Sequence, residues 1–140
     1  MNALEEYFVE AENIEADSGY ITDSFVIADK CIINKSFLKQ YETMNDIFTF
    51  IKFIPDTEEL WELPNKIYLM KHGGFRFQYN KKYSFDYKFV KLFCDSLDMF
   101  PEFRIQMIDM VDEKNVPLLK IYENDNWVGA IVAIKNKKYK

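Results

Sequence analysis

The chain has 140 residues, 49% of them hydrophobic and 17% aromatic, so it can bury a core and is too apolar to stay disordered. No apolar run reaches the roughly 20 residues of a membrane span, and the acidic start lacks a signal-peptide pattern, so a cytoplasmic protein without membrane contact is expected. The net charge of −5 is uneven: residues 1–17 hold Glu5, Glu6, Glu10, Glu12, Glu15 and Asp17 without lysine or arginine, the body is nearly neutral, and Lys135, Lys137, Lys138 and Lys140 make the last stretch basic.

In chain order, Leu4, Phe8, Ala11 and Ile14 fall on one face of a short helix, although residues 7–11 would also suit a strand. Asp17, Ser18 and Gly19 break the pattern. Residues 20–29 read as extended around Phe25, Val26 and Ile27, and Cys31, Ile32 and Ile33 continue the run. Asn34 is suited to cap a helix over residues 35–44 whose apolar side is Phe37, Leu38, Tyr41 and Met44. Residues 47–54 are β-branched and aromatic and predict a strand, ended by Pro55 and Asp56. Residues 58–63 fit a helical turn or a strand. After a turn at Pro64 and Asn65, residues 67–70 and 75–79 flank His72, Gly73 and Gly74 as a hairpin.

A helix follows, with Phe85, Phe89, Leu92, Phe93 and Leu97 as its apolar stripe and Lys88, Lys91 and Asp95 opposite. Alternation of Phe103, Ile105 and Met107 with Arg104 and Gln106 predicts a half-buried strand. Residues 117–122 and 127–134 form a hairpin around Asn124, Asp125 and Asn126. From Tyr20 the order is strand, helix, then two or three strands, repeated with an offset of about fifty residues. Two βαβββ halves with both helices on one face predict an α+β domain over residues 18–140, preceded by the acidic segment 1–17.

Phe85-Asp86-Tyr87-Lys88-Phe89-Val90, with Leu97 beyond, resembles the start of the second helix in the last domain of bacterial DNA polymerase sliding clamps. Residues 102–107 are similar to the strand that comes next there, Pro117 to the start of the penultimate strand, and residues 127–134 to the closing strand. Ile21-Thr22-Asp23-Ser24-Phe25-Val26 is similar to the Thr-Asp-Gly hairpin motif of clamp domains, and residues 72–77 to the matching hairpin of the other half. The resemblance spans residues 20–135 and implies a single clamp-like domain. It implies a non-enzymatic protein that tethers or supports DNA replication or repair factors.

On that resemblance Lys35, Lys39, Lys88 and Lys91 would face double-stranded DNA, through contacts that ignore sequence and weaken with salt. Thr22, Phe25, Val26, Ile131 and Ile134 would line the groove that takes short apolar peptides from replication or repair proteins. The bland alternatives are solvated helix lysines and ordinary core. Clamps carry two or three such domains per chain, and this sequence has room for one, so a ring would require a homo-oligomer of about six copies. The Met-Pro end of bacterial clamps is absent, and the acidic segment has no counterpart in the family pattern.

No catalytic constellation is readable. His72 is the only histidine and precedes two glycines, as in a turn; it has no partner for metal or triad chemistry. No glycine-rich phosphate loop occurs, so no cofactor is expected. Cys31 and Cys94 suit buried reduced thiols, with one pairing between them left open. The alternative function is a small protein-binding module with a clamp-like fold, a mobile-element accessory or regulator, that binds a protein partner and not DNA.

Overall fold

In the computed structural model, which describes residues 1–70 and 73–136, helix α1 (Ala3–Glu10) is closed by a capping box. The Asn2 side chain accepts the Glu5 N–H, and the Glu5 carboxylate accepts the Asn2 N–H. Strands β1 (Glu15–Ala16), β2 (Tyr20–Thr22) and β3 (Val26–Asp29) follow, then α2 (Lys35–Tyr41), capped by Asn34. A 3-10 turn, Ile47–Phe50, leads into β4 (Ile51–Phe53), β5 (Glu59–Leu60), β6 (Tyr68–Leu69), β7 (Phe75–Gln78) and β8 (Tyr83–Asp86). Helix α3 (Tyr87–Ser96) precedes β9 (Glu102–Met110), β10 (Val116–Glu123), β11 (Asn126–Val132) and β12 (Ile134–Lys135).

The strands make an eight-stranded sheet, in the order β1-β2-β3-β11-β10-β9-β4 with β5 also on β9, and a four-stranded sheet, β12-β8-β7-β6. Each strand pairing between these elements is antiparallel. The β3–β11 seam, with Val26 opposite Ile131, joins the N-terminal hairpin to the three long strands. Asn124 and Asp125, both at positive φ, close the β10–β11 hairpin.

Side-chain alternation along β9 to β11 gives the large sheet two apolar faces. Phe103, Ile105, Leu119, Ile121, Val128 and Ile131 meet Leu4 and Phe8 of α1, Phe37 and Leu38 of α2, and Phe89, Val90 and Phe93 of α3. All three helices therefore contribute to one core. Ile27, Ile108, Leu118 and Ala130 turn the other way, toward Ile47 and Tyr83. At Gly129 the backbone and α3 approach closely: a Cβ there would fall 2.5 Å from the Ile27 carbonyl oxygen and would also strike the Phe93 ring.

The α+β class expected from sequence is the observed one, and β8-α3-β9-β10-β11 runs strand, helix, three strands. Several boundaries differ, each for a local reason. The second long helix starts at Tyr87, because Phe85 is a buried strand residue of β8 and Asp86 caps the helix through the Lys88 N–H. Residues 47–50 are not strand: the Asp46 side chain accepts the Phe48 N–H and starts a 3-10 turn. Residues 31–33 do not extend β3, since Asp29 accepts the Cys31 N–H and turns the chain. Helix α2 stops at Tyr41, and the N–H groups of Thr43 and Met44 donate to the Ala16 carbonyl.

Within residues 58–63 only Glu59–Leu60 form a strand, β5. The acidic segment 1–17 is built into the main core, with Leu4, Phe8 and Ala16 fully buried. Asp17 ties it further, accepting the N–H groups of Gly19, Tyr20 and Ile47. Strands β6 and β7 pair as expected, with Gly73 and Gly74 at positive φ between them. His72, Lys137, Lys138 and Lys140 lie outside the described residues. No helix among the described residues is long and apolar enough to cross a membrane.

Candidate interaction surface

The lysines expected to face DNA sit on the outward sides of α2 and α3, and all are exposed. Lys35 and Lys39 stand on α2. On α3 the Lys91 ammonium donates to Asp95 at 2.6 Å, the neighbour one turn on, and Lys88 lies 3.9 Å from Asp86 and over the Phe89 ring. Two of the four cations therefore already have carboxylate partners.

Helix α1 shares this side of the molecule. It packs on α3 through the Leu4 N–H, which donates to Ser96 Oγ at 3.0 Å, and through Tyr7, edge-on to Phe89 at 5.6 Å. The Tyr7 hydroxyl donates to Asp23 in the β2–β3 turn, and burial together with that carboxylate pushes the phenol well above its ordinary pKa. Glu5 is buried, accepting the Asn34 N–H at 2.7 Å, whereas Glu6 and Glu10 point to solvent. A shallow open groove of about 450 Å³ runs along α1 to Leu92 of α3, with Ala3, Glu6, Tyr7, Val9 and Glu10 among its lining. The lysine helices thus share their face with an acidic helix.

The residues expected to line a peptide groove do not form one surface. Val26 and Ile131 are paired across the β3–β11 seam and fully buried in the main core. Neither is presented to a ligand. Thr22 is buried as well, its hydroxyl accepting the Ser24 N–H. Phe25 is 53% exposed and stacks on Phe89 at 6.4 Å. Ile134 is half-buried and belongs to the smaller sheet, opposite Ser84.

A polar cluster that the sequence reading passed over lies on the other face of the large sheet. Lys120, in the middle of β10, donates to Glu58 at 2.6 Å and to Gln106 at 3.1 Å. Its ammonium stands 4.5 Å from the Trp127 ring centroid, with Phe53 and Tyr122 farther off. Glu58 also receives Arg104 at 3.1 Å and the Tyr122 hydroxyl. Burial works to raise the Glu58 carboxyl, but hydrogen bonds from Lys120, Arg104 and Tyr122 outweigh it and hold the pKa below the ordinary value. The signal was available: a lysine inside Pro-Leu-Leu-Lys-Ile-Tyr interrupts a run that is otherwise apolar. These contacts brace β10 against the Glu58 segment and Arg104 of β9.

Among the described residues no group of three or more His, Cys, Asp or Glu is placed to hold a metal ion. Cys31 and Cys94 are both free thiols. Cys31 is exposed, not buried as expected, yet partial desolvation of its thiol, then a hydrogen bond to Asp29, pushes it up to about 12; burial raises the half-buried Cys94 too. No protein-family model, curated protein or solved structure matches this chain.

Proposed function

We propose that this chain is a non-enzymatic, cytoplasmic protein-binding module that offers its helix-bearing face to a protein partner and does not bind DNA. The supporting observation is the charge of that face. Helix α1, with Glu6 and Glu10 outward, packs directly on α3, where Lys91 and Lys88 are already next to Asp95 and Asp86. A phosphate backbone would meet carboxylates there as well as ammonium groups, and like charge costs affinity at each close approach. Titration of a labelled DNA duplex at low salt tests the proposal. No binding is expected. Binding that falls steeply with salt, and falls further when Lys35, Lys39, Lys88 and Lys91 become alanine, would overturn it.

A second reading, a one-domain sliding-clamp-like tether for replication or repair factors, draws on the β8-α3-β9-β10-β11 order and on the shared face of α2 and α3. Encirclement would then depend on assembly into a ring of about six chains. Light scattering after size exclusion separates the two. A mass near that of one chain, 16.8 kDa, fits the module, and a mass about six-fold higher fits the ring.

A further inference from the structure

On the protein-binding reading above, we propose that the partner docks in the groove between α1 and α3 and presents a cationic amphipathic helix to it. The groove combines an apolar lining with an acidic rim. Ala3, Tyr7, Val9 and Leu92 supply the apolar part, and Glu6 and Glu10, one turn apart, supply the charge. Val9 is 52% exposed, an aliphatic side chain in water at the lip of a concave surface.

The charge on the rim is not locked in an ion pair, although Met1 brings a terminal ammonium to the same lining. No ion pair among the described residues engages Glu6 or Glu10. Residues 1–17 contain no lysine or arginine. Glu10 also sits in the last turn of α1, which has no basic residue, and there the helix dipole disfavours a carboxylate. Like charges four apart on one helix repel. A ligand bringing lysine or arginine to this rim removes an electrostatic penalty that the isolated chain carries.

The shape selects a helix over a strand. Apart from Leu92 of α3, the lining comes from α1 and the residues leading into it, and a helix satisfies its backbone groups internally, so no sheet edge is offered for strand addition. Recognition must come from side chains. The eight residues of α1 span about 12 Å, which matches two turns of a partner helix placing apolar anchors at i, i+3 or i+4 along the lining. Basic residues flanking those anchors would then reach Glu6 and Glu10. A two-fold pairing of this groove with the same groove of a second copy fits poorly, because α1 would bring carboxylates to carboxylates.

The test is binding of labelled probes to the folded chain: a Leu/Lys amphipathic peptide of about four turns, its Leu/Glu counterpart and a short DNA duplex. Two groove variants, Glu6→Lys with Glu10→Lys, and Leu92→Lys alone, are compared with a control, Glu62→Lys with Asp112→Lys. The control makes the same charge change as the double variant at exposed positions that do not line the groove. Thermal melts by circular dichroism verify that each variant is folded.

The expected result is binding of the Leu/Lys peptide alone. Both groove variants should weaken it roughly ten-fold or more, and the control should change it little. Equal weakening by the control would mean non-specific attraction and overturn the groove. So would absence of Leu/Lys binding. If the Leu/Glu peptide binds instead and ignores the groove variants, the groove falls while the protein-binding module stands. If only the duplex binds, both fall.

Discussion

Replacing Glu58 by glutamine removes the charge that answers Lys120. The pair is close, 2.6 Å, and unequally buried: the lysine side chain is 9% exposed and the glutamate 29%. At that distance the gross Coulomb attraction is about 6 kcal/mol for an effective dielectric near 20. Much of it offsets the desolvation of the ammonium. Leaving a buried ion without its partner costs about 3–5 kcal/mol in fully buried cases. Partial exposure of Glu58, and the carbonyl oxygen that glutamine retains, reduce this to about 2–3 kcal/mol. The melting temperature should fall by about 6–12 °C for a domain of this size.

A second substitution locates the cause. Lys120→Met in the Glu58→Gln background swaps the stranded ammonium for an apolar side chain of similar length, set against Trp127, Phe53 and Tyr122. The double variant should recover to within about 1 kcal/mol of the parent, since replacing a buried pair by apolar groups is often neutral. Urea unfolding followed by tryptophan fluorescence measures each step, with unchanged denaturant slope as the two-state check. A double variant no more stable than Glu58→Gln would refute the reasoning. It would show that the aromatic faces, not the carboxylate, hold the lysine.

Acid should weaken the fold through two carboxyls. The Tyr83 hydroxyl bond, against burial and with Lys135 assisting, holds Glu113 below its ordinary pKa, as the Lys120 cluster does for Glu58. Lowered native pKa values give stability that is complete above the unfolded value of 4.5 and lost as pH falls through the native values. Urea midpoints should drop below pH 4.5, and the Glu58→Gln, Glu113→Gln variant should show a shallower drop. Gly129→Ala should cost at least about 2 kcal/mol, and Phe93→Leu should not rescue it, because the Ile27 carbonyl still stands 2.5 Å from the new methyl. Full rescue would show that the Phe93 ring alone set the limit. Cys31 should react slowly with iodoacetamide at pH 8 despite its exposure, and Asp29→Asn should speed it; equal rates would remove the carboxylate from the explanation.

The elements legible in the sequence are those written in short-range chemistry. Asn34 announced α2, the alternation from Phe103 announced β9, and Asn124 with Asp125 announced the last hairpin. The Lys91–Asp95 pair could be read from spacing alone. What was illegible depends on distant partners. Phe85 fits a helical stripe and a strand equally, and only its burial within β8 decides for strand. Strands β1, β5 and β12 are each two residues long and carry no periodicity; their partners define them. Val26 and Ile131 look alike as groove lining or as core until their pairing with each other is seen. Spacing placed Leu4 and Phe8 on one helix face, but not that this face would be sealed against α3, bringing glutamates beside the lysines.

The β3–β11 seam has a consequence for how the chain comes to be folded. Val26 and Ile131 are about a hundred residues apart in sequence, and closing so long a loop is slow compared with forming a local helix or hairpin. Until β11 is synthesised, the β2–β3 hairpin has no second neighbour, and β10 lacks one on the same side. Both waiting edges are rich in valine, isoleucine and leucine, the composition that seeks strands from other molecules. Stopped-flow refolding should therefore show the millisecond-to-second kinetics of non-local sheets, and a microsecond trace would contradict it. Products interrupted before Asn126 are expected to be recruited into aggregates. Zipping of one antiparallel seam separates a template for self-association from a closed sheet.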